Sequence, residues 1–405
     1  MAITVRSIPA SQHLEYISTL RSASFLQTPA WAKVKSEWQH ESLGWFETGA
    51  DETAAHGADE TGADETGADA ADGAASDSHK AERLVGVALV LYRQIPRLRR
   101  YLAYVPEGPL LDWENITDLG AYLKPFVAHV KHQGAFGVRI GPPVVVRRWD
   151  TRTIKDALAD DAVTSLRTVE PDETNIPAAR VHNALRTLGW QPPKAGEGFS
   201  AGQPEFNFQL PLTGRTPDEV LKGMNQLWRR NIKKADKLGV EVRRGTIADL
   251  PAFHTLYVET AQRDGFTPRP ASYFRTMMEA MEAEDPDRIH LYLAEHEGDL
   301  IAATTWVRVG GHTWYSYGAS STTKREVRGS NAIQWRMIQD SIAAGADVYD
   351  LRGITDSVDK NDPHVGLIEF KVGTGGEAVE YLGEWDLPLN RVLYTAFELY
   401  MKRRG

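Results

Sequence analysis

Apolar and polar positions along this chain fall into the same succession of elements twice. In the first half, RLVGVALVLYRQIP and RYLAYVPEGPLLDW are β-rich runs parted by a turn that holds Pro96 and several arginines, which predicts a hairpin. Apolar Leu119, Tyr122, Leu123, Phe126, Val127 and Val130 then recur at helical spacing, predicting a helix over 117–132. The next run, AFGVRIGPPVVV, predicts a strand broken at Gly141-Pro142-Pro143, because proline has no N–H to give a ladder.

A polar stretch over 148–175 connects to the second set. A helix over 177–190 and the strand PEFNFQLPL open it. PDEVLKGMNQLWRRNIKKADKLGV follows, with a proline and two acids at its start and Gly239 at its end, the signals of a helix or helix pair. After VEVRRG come helices over 247–263 and 271–283. Three strands then span RIHLYLAEHEGDLIAATTWVRVGGHTWYSYGAS, turning at Glu297-Gly298-Asp299 and Gly310-Gly311. NAIQWRMIQDSIAAG is a helix ending at Gly345, and DVYDLRGI is a strand. Two β-meanders, each followed by a helix and a strand, predict two acetyltransferase-like units of mixed α/β (α+β) class in tandem. No residue-level repeat accompanies them.

Charge alters the picture in one place. The net charge of −9 is concentrated in a GADET repeat, where ten acids between Asp51 and Glu82 face one base, Lys80. The rest of the 405-residue chain is formally neutral. Such a tract has almost nothing to bury, so a disordered acidic loop is expected over 50–82. With no cysteine, a disulfide framework, a thiolate metal site and a cysteine nucleophile are all excluded. Neither a signal peptide nor a run of about 18 apolar residues is present, which points to a cytoplasmic protein.

Particular segments carry a resemblance. FLQTPAWAKVK (25–35), YVPEGPLLDW (104–113), RRNIKKADKLGV (229–240), ETAQRDGFTPRPASYF (259–274), WYSYGAS (314–320), VYDLRGI (348–354) and GLIEFKVGTGGEAVEYLGEWDLPLN (366–390) occur in the order found in the Fem (FemABX) family, which this chain resembles. That family builds peptidoglycan interpeptide bridges from aminoacyl-tRNA. The resemblance implies two GNAT-type domains with mixed sheets, the first formed by residues 1–160 with 384–405 and the second by 161–383. No coiled-coil arm is expected, since only about twenty residues separate Gly239 from Glu259 and no sustained heptad run appears. It implies transfer of an amino acid from aminoacyl-tRNA to the side-chain amine of the stem peptide, on UDP-MurNAc-pentapeptide or lipid II. Aminoacyl-tRNA is then a co-substrate, with no further cofactor and no metal, and a monomer is expected.

Carried over residue by residue, the resemblance points to Lys371 and Asp112 as catalytic. Lys371, in EFKVGTGG, is expected between an apolar strand and a Gly-rich turn, facing a developing oxyanion or the tRNA 3′ end; an exposed lysine ending a strand fits the same letters. Asp112 matches an aspartate near the acceptor amine, or is a turn or capping residue before Asn115. Lys35, Arg269, Tyr273 and Tyr317 match precursor-binding positions, with Phe370 as a wall of the catalytic pocket. Arg269 and Tyr273 share neighbouring helical turns if the helix extends back past Pro270. Arg229, Arg230, Lys233, Lys234 and Lys237, beside Trp228, form the densest basic patch, suited to a tRNA backbone or else simply a solvated helix face. Arg93, Arg97, Arg99 and Arg100 form a second patch, and Lys402, Arg403 and Arg404 close an amphipathic stretch able to touch anionic lipid at the inner membrane surface.

Two other activities compete: an acyl-CoA-dependent N-acetyltransferase and a non-catalytic RNA-binding protein of the same fold. KREVRGSNAIQ lacks the R/Q-x-x-G-x-G/A loop that cradles the coenzyme A pyrophosphate, which argues against the first. The presence of both Lys371 and Asp112 argues against the second. The twelve histidines show no HxxxH pair, as expected where no metal is bound.

Overall fold

Each of two sheets, of six and nine strands, contains four antiparallel strands followed through a crossover helix by a parallel one. The computed structural model describes residues 2–49, 82–193 and 202–402. The acidic repeat up to residue 81, and Arg403 and Arg404, lie outside the described residues.

The first half contributes β1 (Ala2–Ser7), α1 (Ala10–Thr19), α2 (Pro29–Val34), β2 (Gln39–Thr48), β3 (Glu82–Gln94), β4 (Tyr101–Val105), α3 (Leu119–His132) and β5 (Ala135–Ile140). Next come β6 (Val145–Trp149), α4 (Thr151–Ala159), β7 (Glu173–Thr174), α5 (Ile176–Thr187), β8 (Phe206–Pro211), α6 (Pro217–Gly223) and α7 (Gln226–Lys237). The second meander holds β9 (Glu241–Gly245), α8 (Leu250–Asp264), α9 (Ala271–Glu284), β10 (Ile289–His296), β11 (Asp299–Val309) and β12 (His312–Ser320). The chain closes with α10 (Gly329–Ala343), β13 (Val348–Ile354), α11 (Val365–Val372), β14 (Glu377–Tyr381), β15 (Trp385–Pro388) and α12 (Arg391–Lys402).

The first sheet runs β1-β2-β3-β4-β5-β15, and the second runs β7-β6-β14-β8-β13-β12-β11-β10-β9. In each, a four-strand meander leads through a helix to a parallel partner, β4 with β5 and β12 with β13. The helix α3 begins where Asp118 accepts hydrogen bonds from the Gly120 and Ala121 amides, satisfying N–H groups that have no intrahelical partner. No arm intervenes between α7 and β9, and the longest of these helices has fifteen residues. Among the described residues no helix is long and apolar enough to cross a membrane.

The expected division at residue 160 is corrected in two places. At Gly141-Pro142-Pro143 the chain leaves the first sheet altogether, and β6 pairs with β14 and β7 in the second. Helix α5, assigned by sequence to the second unit, buries Ala178, Val181 and Leu185 in the core that also holds Phe126, Val138 and Trp385 of the first. The strand β15 completes the first sheet by pairing with β5, so the units interlock through the chain. A single apolar core also joins them, with Phe25, Trp31 and Leu89 packed alongside Phe253, Phe274 and Trp314.

Candidate active site

The site is built where the second sheet opens. Strands β12 and β13 pair only from His312 opposite Val348 to Trp314 opposite Asp350. Beyond that point each strand bulges against its other neighbour: the register of β12 on β11 slips between Ala303 and Thr305, and that of β13 on β8 between Asp350 and Gly353. At the two bulges Tyr317 and Arg352 take left-handed backbone, with φ of 37° and 63°. Left-handed backbone costs a side-chain-bearing residue about 1–3 kcal/mol, so such positions persist only where neighbours hold them. Tyr317 Oη lies 2.8 Å from Tyr273 Oη, and the Arg352 guanidinium donates to Glu107 Oε1 at 3.0 Å and to Gln203 Oε1 at 3.2 Å.

Lys371 departs from its predicted setting. It lies in helix α11, not at the end of a strand, and is only 3% exposed. The run GLIEFKV is apolar enough to pass for a strand, but Ile368 and Val372 at helical spacing face the core, and Thr374 Oγ1 closes the helix on the Lys371 carbonyl. The glycines that follow serve close packing. A Cβ on Gly373 would lie 2.2 Å from Trp228, and Gly375, at φ +83°, sits against the Gly223 carbonyl. Lys371 Nζ donates to the carbonyl oxygens of Arg352 at 3.1 Å and Gly353 at 2.7 Å. Burial lowers its pKa to about 7; Asp350 opposes the shift and Arg352 reinforces it.

Two cavities lie near this link, one lined by Arg352 and the other by Phe370, the residue before Lys371. One, of about 250 Å³, lies between the sheets and is lined by Ser24, Glu107, Asn207, Asp350, Arg352 and Glu384, among others. Asp350 accepts from Gln209 Nε2 at 3.0 Å and contacts His312 Nε2 at 3.2 Å. Although burial would raise its pKa, the His312 hydrogen bond and the nearby Arg352 charge hold it below the usual aspartate value. Glu384 accepts from Tyr104 Oη at 2.6 Å, and its pKa rises to about 6, chiefly because it is buried, despite the charge of Arg139. The other cavity, of about 380 Å³, lies at the start of α10. Trp228 and Phe370 wall it, their ring centroids 4.8 Å apart and Trp228 Nε1 donating to the Phe370 carbonyl, while Arg325 and Arg328 line its rim. Sequence predicted no phosphate cradle at this helix start; it has instead a cavity with side-chain cations.

The expected precursor-binding residues converge. Lys35 Nζ lies 5.5 Å from the Tyr273 ring centroid, and the Arg269 guanidinium 5.4 Å from it. Burial lowers the Lys35 pKa, and the charges of Arg269 and Arg93 add to the effect. Arg269 is not on a helical turn beside Tyr273: α9 starts at Ala271 with Pro270 as its cap. The aromatic cluster leads to Arg352, whose guanidinium lies 5.6 Å from the Phe25 ring centroid, with Phe25 in turn edge-on to Trp31.

Asp112 stays apart. It lines a third cavity with Tyr16, Glu47 and Arg83, its carboxylate accepts from Asn115 Nδ2, and its carbonyl from the Asn115 and Ile116 amides. It shares neither a cavity nor a hydrogen bond with Lys371, and its contacts are those of a turn residue. In the basic helix, Arg230, Lys233, Lys234 and Lys237 are exposed. Arg229 is engaged instead, donating to the Lys222 and Met224 carbonyls at the end of α6.

Sequence alone gave no role to Glu107, Asp350, Arg352 or Glu384, although all lie in the segments that carried the resemblance. The available signal was charge inside an apolar strand: Asp350 and Arg352 interrupt VYDLRGI, and a buried charge requires partners.

A model of the FemAB family matches residues 75–299 and 290–402. The lipid II:glycine glycyltransferase of Staphylococcus saprophyticus is 24% identical over 378 residues, covering 78% of this chain and 84% of the relative. That of Staphylococcus aureus (strain USA300) is 25% identical over 379 residues, covering 77% and 83%. The crystal structure of FemX superposes with a TM-score of 0.73 at 20% identity, covering 97% of this chain and 99% of that one, a likeness of fold.

Proposed function

The chain belongs to the FemAB family, and on that footing we propose that it is an aminoacyltransferase moving an amino acid from the ester of aminoacyl-tRNA to the side-chain amine of a peptidoglycan stem peptide. The observation that carries the reading is the buried Lys371–Arg352 link, with Arg352 lining one cavity and Phe370, beside Lys371 in α11, lining another. The cavity of Trp228 and Phe370 takes the aminoacylated 3′ end, with Arg325 and Arg328 toward its phosphates. The cluster of Lys35, Arg269, Tyr273 and Tyr317 takes the anionic, sugar-bearing acceptor.

The acceptor nitrogen attacks the ester carbonyl, a C–N bond forms, and the C–O bond to the tRNA ribose breaks. An ester is already activated, so alignment, oxyanion stabilisation and the removal of two protons from the acceptor nitrogen suffice, one lost before attack and the other passed to the departing ribose oxygen as the intermediate collapses. An ammonium has three N–H groups. Two from Lys371 are held by the Arg352 and Gly353 carbonyls, leaving the third for the oxyanion or for the departing ribose oxygen. Glu384, with a pKa near 6 in the inter-sheet cavity, is suited to take the proton that the acceptor ammonium loses. In this mechanism the base is Glu384, and Asp112 has no part.

The test is incubation with labelled aminoacyl-tRNAs and a muramyl pentapeptide, nucleotide-linked or lipid-linked. An amide product is expected. Its absence with every pairing, together with acetyl transfer from acetyl-CoA, would overturn the assignment.

A further inference from the structure

Helix α12 has apolar residues on two faces. Tyr394 and Phe397 are buried against Leu102 and Phe136 of the first sheet, with Leu393 and Met401 beside them. A second stripe, Val392, Ala396 and Leu399, recurs at positions i, i+4 and i+7 on another face and is exposed, Val392 by 79% and Leu399 by 57%. Ile95, at the turn between β3 and β4, packs into the same small core. That turn presents Leu98, 47% exposed, between the exposed Arg97, Arg99 and Arg100, with no acid from Arg93 to Tyr101.

Exposed aliphatic side chains on α12, which carries one acid, Glu398, together with a neighbouring turn in which Leu98 sits among arginines, suit one surface above others. A nucleic acid backbone would engage the arginines and gain nothing from Val392, Leu98 or Leu399. A bilayer of anionic lipid takes both, the arginines at the headgroups and the aliphatics in the acyl boundary. The patch also adjoins the acceptor cluster. The Arg93 guanidinium lies 5.6 Å from the Phe397 ring centroid on α12 and 5.4 Å from that of Trp38, and its charge bears on Lys35. Arg93 against Phe397 of α12, and Lys35 and Arg269 both against Tyr273, put three cations between α12 and the acceptor cluster, the charge a diphosphate carried on a lipid requires.

We infer that α12 and the β3–β4 turn form a docking surface for an anionic membrane, through which the acceptor enters as a lipid-anchored diphosphate. This inference rests on the transfer reaction proposed above for its substrate, but not for the surface.

The test is sedimentation of the full chain with vesicles of phosphatidylglycerol and phosphatidylcholine, and with phosphatidylcholine alone. Binding to the anionic vesicles is expected, and Leu98→Asp with Leu399→Asp should weaken it by about tenfold or more. Arg97→Glu with Arg99→Glu should also weaken it, by about fivefold for each arginine charge lost and so about 25-fold or more for the pair. The Leu98→Asp/Leu399→Asp chain should lose transfer to an acceptor embedded in vesicles while keeping transfer to the soluble nucleotide-linked acceptor. Lys371→Met should bind vesicles normally, so loss of transfer with intact docking tests the reaction separately. Failure of the unaltered chain to sediment, undiminished sedimentation of both variants, or arginine variants that weaken tRNA binding and spare vesicle binding would each overturn the inference.

Discussion

The carbonyl oxygen of Arg352 accepts a hydrogen bond from Lys371 Nζ while the guanidinium of the same residue pairs with Glu107 across the boundary between the two sheets. One arginine in left-handed backbone thus connects the buried lysine to the other half of the molecule.

Replacing Lys371 by methionine should lower transfer by about 100- to 1,000-fold and change the acceptor Kd little. The native pKa near 7 lies below the ordinary lysine value, so between these two the unfolded chain binds a proton that the native chain does not. The lysine's contribution to stability is therefore full above about pH 10.4 and is lost as pH falls toward 7. Melting curves across this range should show the wild type gaining stability with pH relative to Lys371→Met; parallel curves would contradict the perturbed pKa.

Glu384→Gln should cut transfer by about tenfold or more while preserving the fold. Its native pKa is raised, so its contribution to stability is full below about pH 4.3 and lost as pH rises through about 6. The glutamine chain should accordingly be the more stable of the two at pH 8 and lose that advantage at pH 4, which thermal scans at both values will decide.

Arg269→Ala should raise the KM for the acceptor by about tenfold, with kcat within about twofold, since a cation above Tyr273 binds ground state and transition state alike. A fall in kcat at unchanged KM would move Arg269 into the transfer step.

In the basic helix, Arg230→Ala/Lys233→Ala/Lys234→Ala should weaken tRNA binding and flatten its salt dependence, by about 0.7–0.9 in log–log slope for each phosphate no longer neutralised. Arg229→Ala should instead lower the Tm, because it strips the Lys222 and Met224 carbonyls of their donor. Equal effects of the two changes on tRNA affinity would argue against this separation.

Removing residues 50–81 should leave transfer within about twofold, since bringing two ends together costs little when they already meet. Thr48 and Glu82 are partners in the β2–β3 ladder, so a short Gly-containing turn can rejoin the strands. Comparing kcat/KM of the shortened and full chains checks this.

How far the sequence foretold the molecule can be judged residue by residue. The meanders and the helices over 117–132 and 271–283 were legible because their apolar spacing is set by local geometry, and α3 and α9 lie there. The membership of β6 and α5 was not, since an apolar strand or helix face does not declare which sheet it will cover. Lys35, Arg269, Tyr273 and Tyr317 were singled out through matching segments, and the fold brings their side chains together. Lys371 was singled out but expected at the end of a strand, because a short apolar run fits strand and helix alike. Arg352 was not singled out: its place beside Lys371 follows from a slip in register of β13 on β8, which appears only after residues far apart in sequence have paired.

The pairing of β15 with β5 also bears on the order in which the molecule is made. The edge strand Ala135–Ile140 leaves the ribosome long before its partner Trp385–Pro388, and the entire second sheet is synthesised in between. Through that interval the nascent first sheet carries an open row of N–H and C=O groups, the kind of edge at which chains aggregate. The last turns of synthesis therefore seal the first-made half, and a chain truncated before residue 385 should be prone to aggregation even though both of its meanders are present.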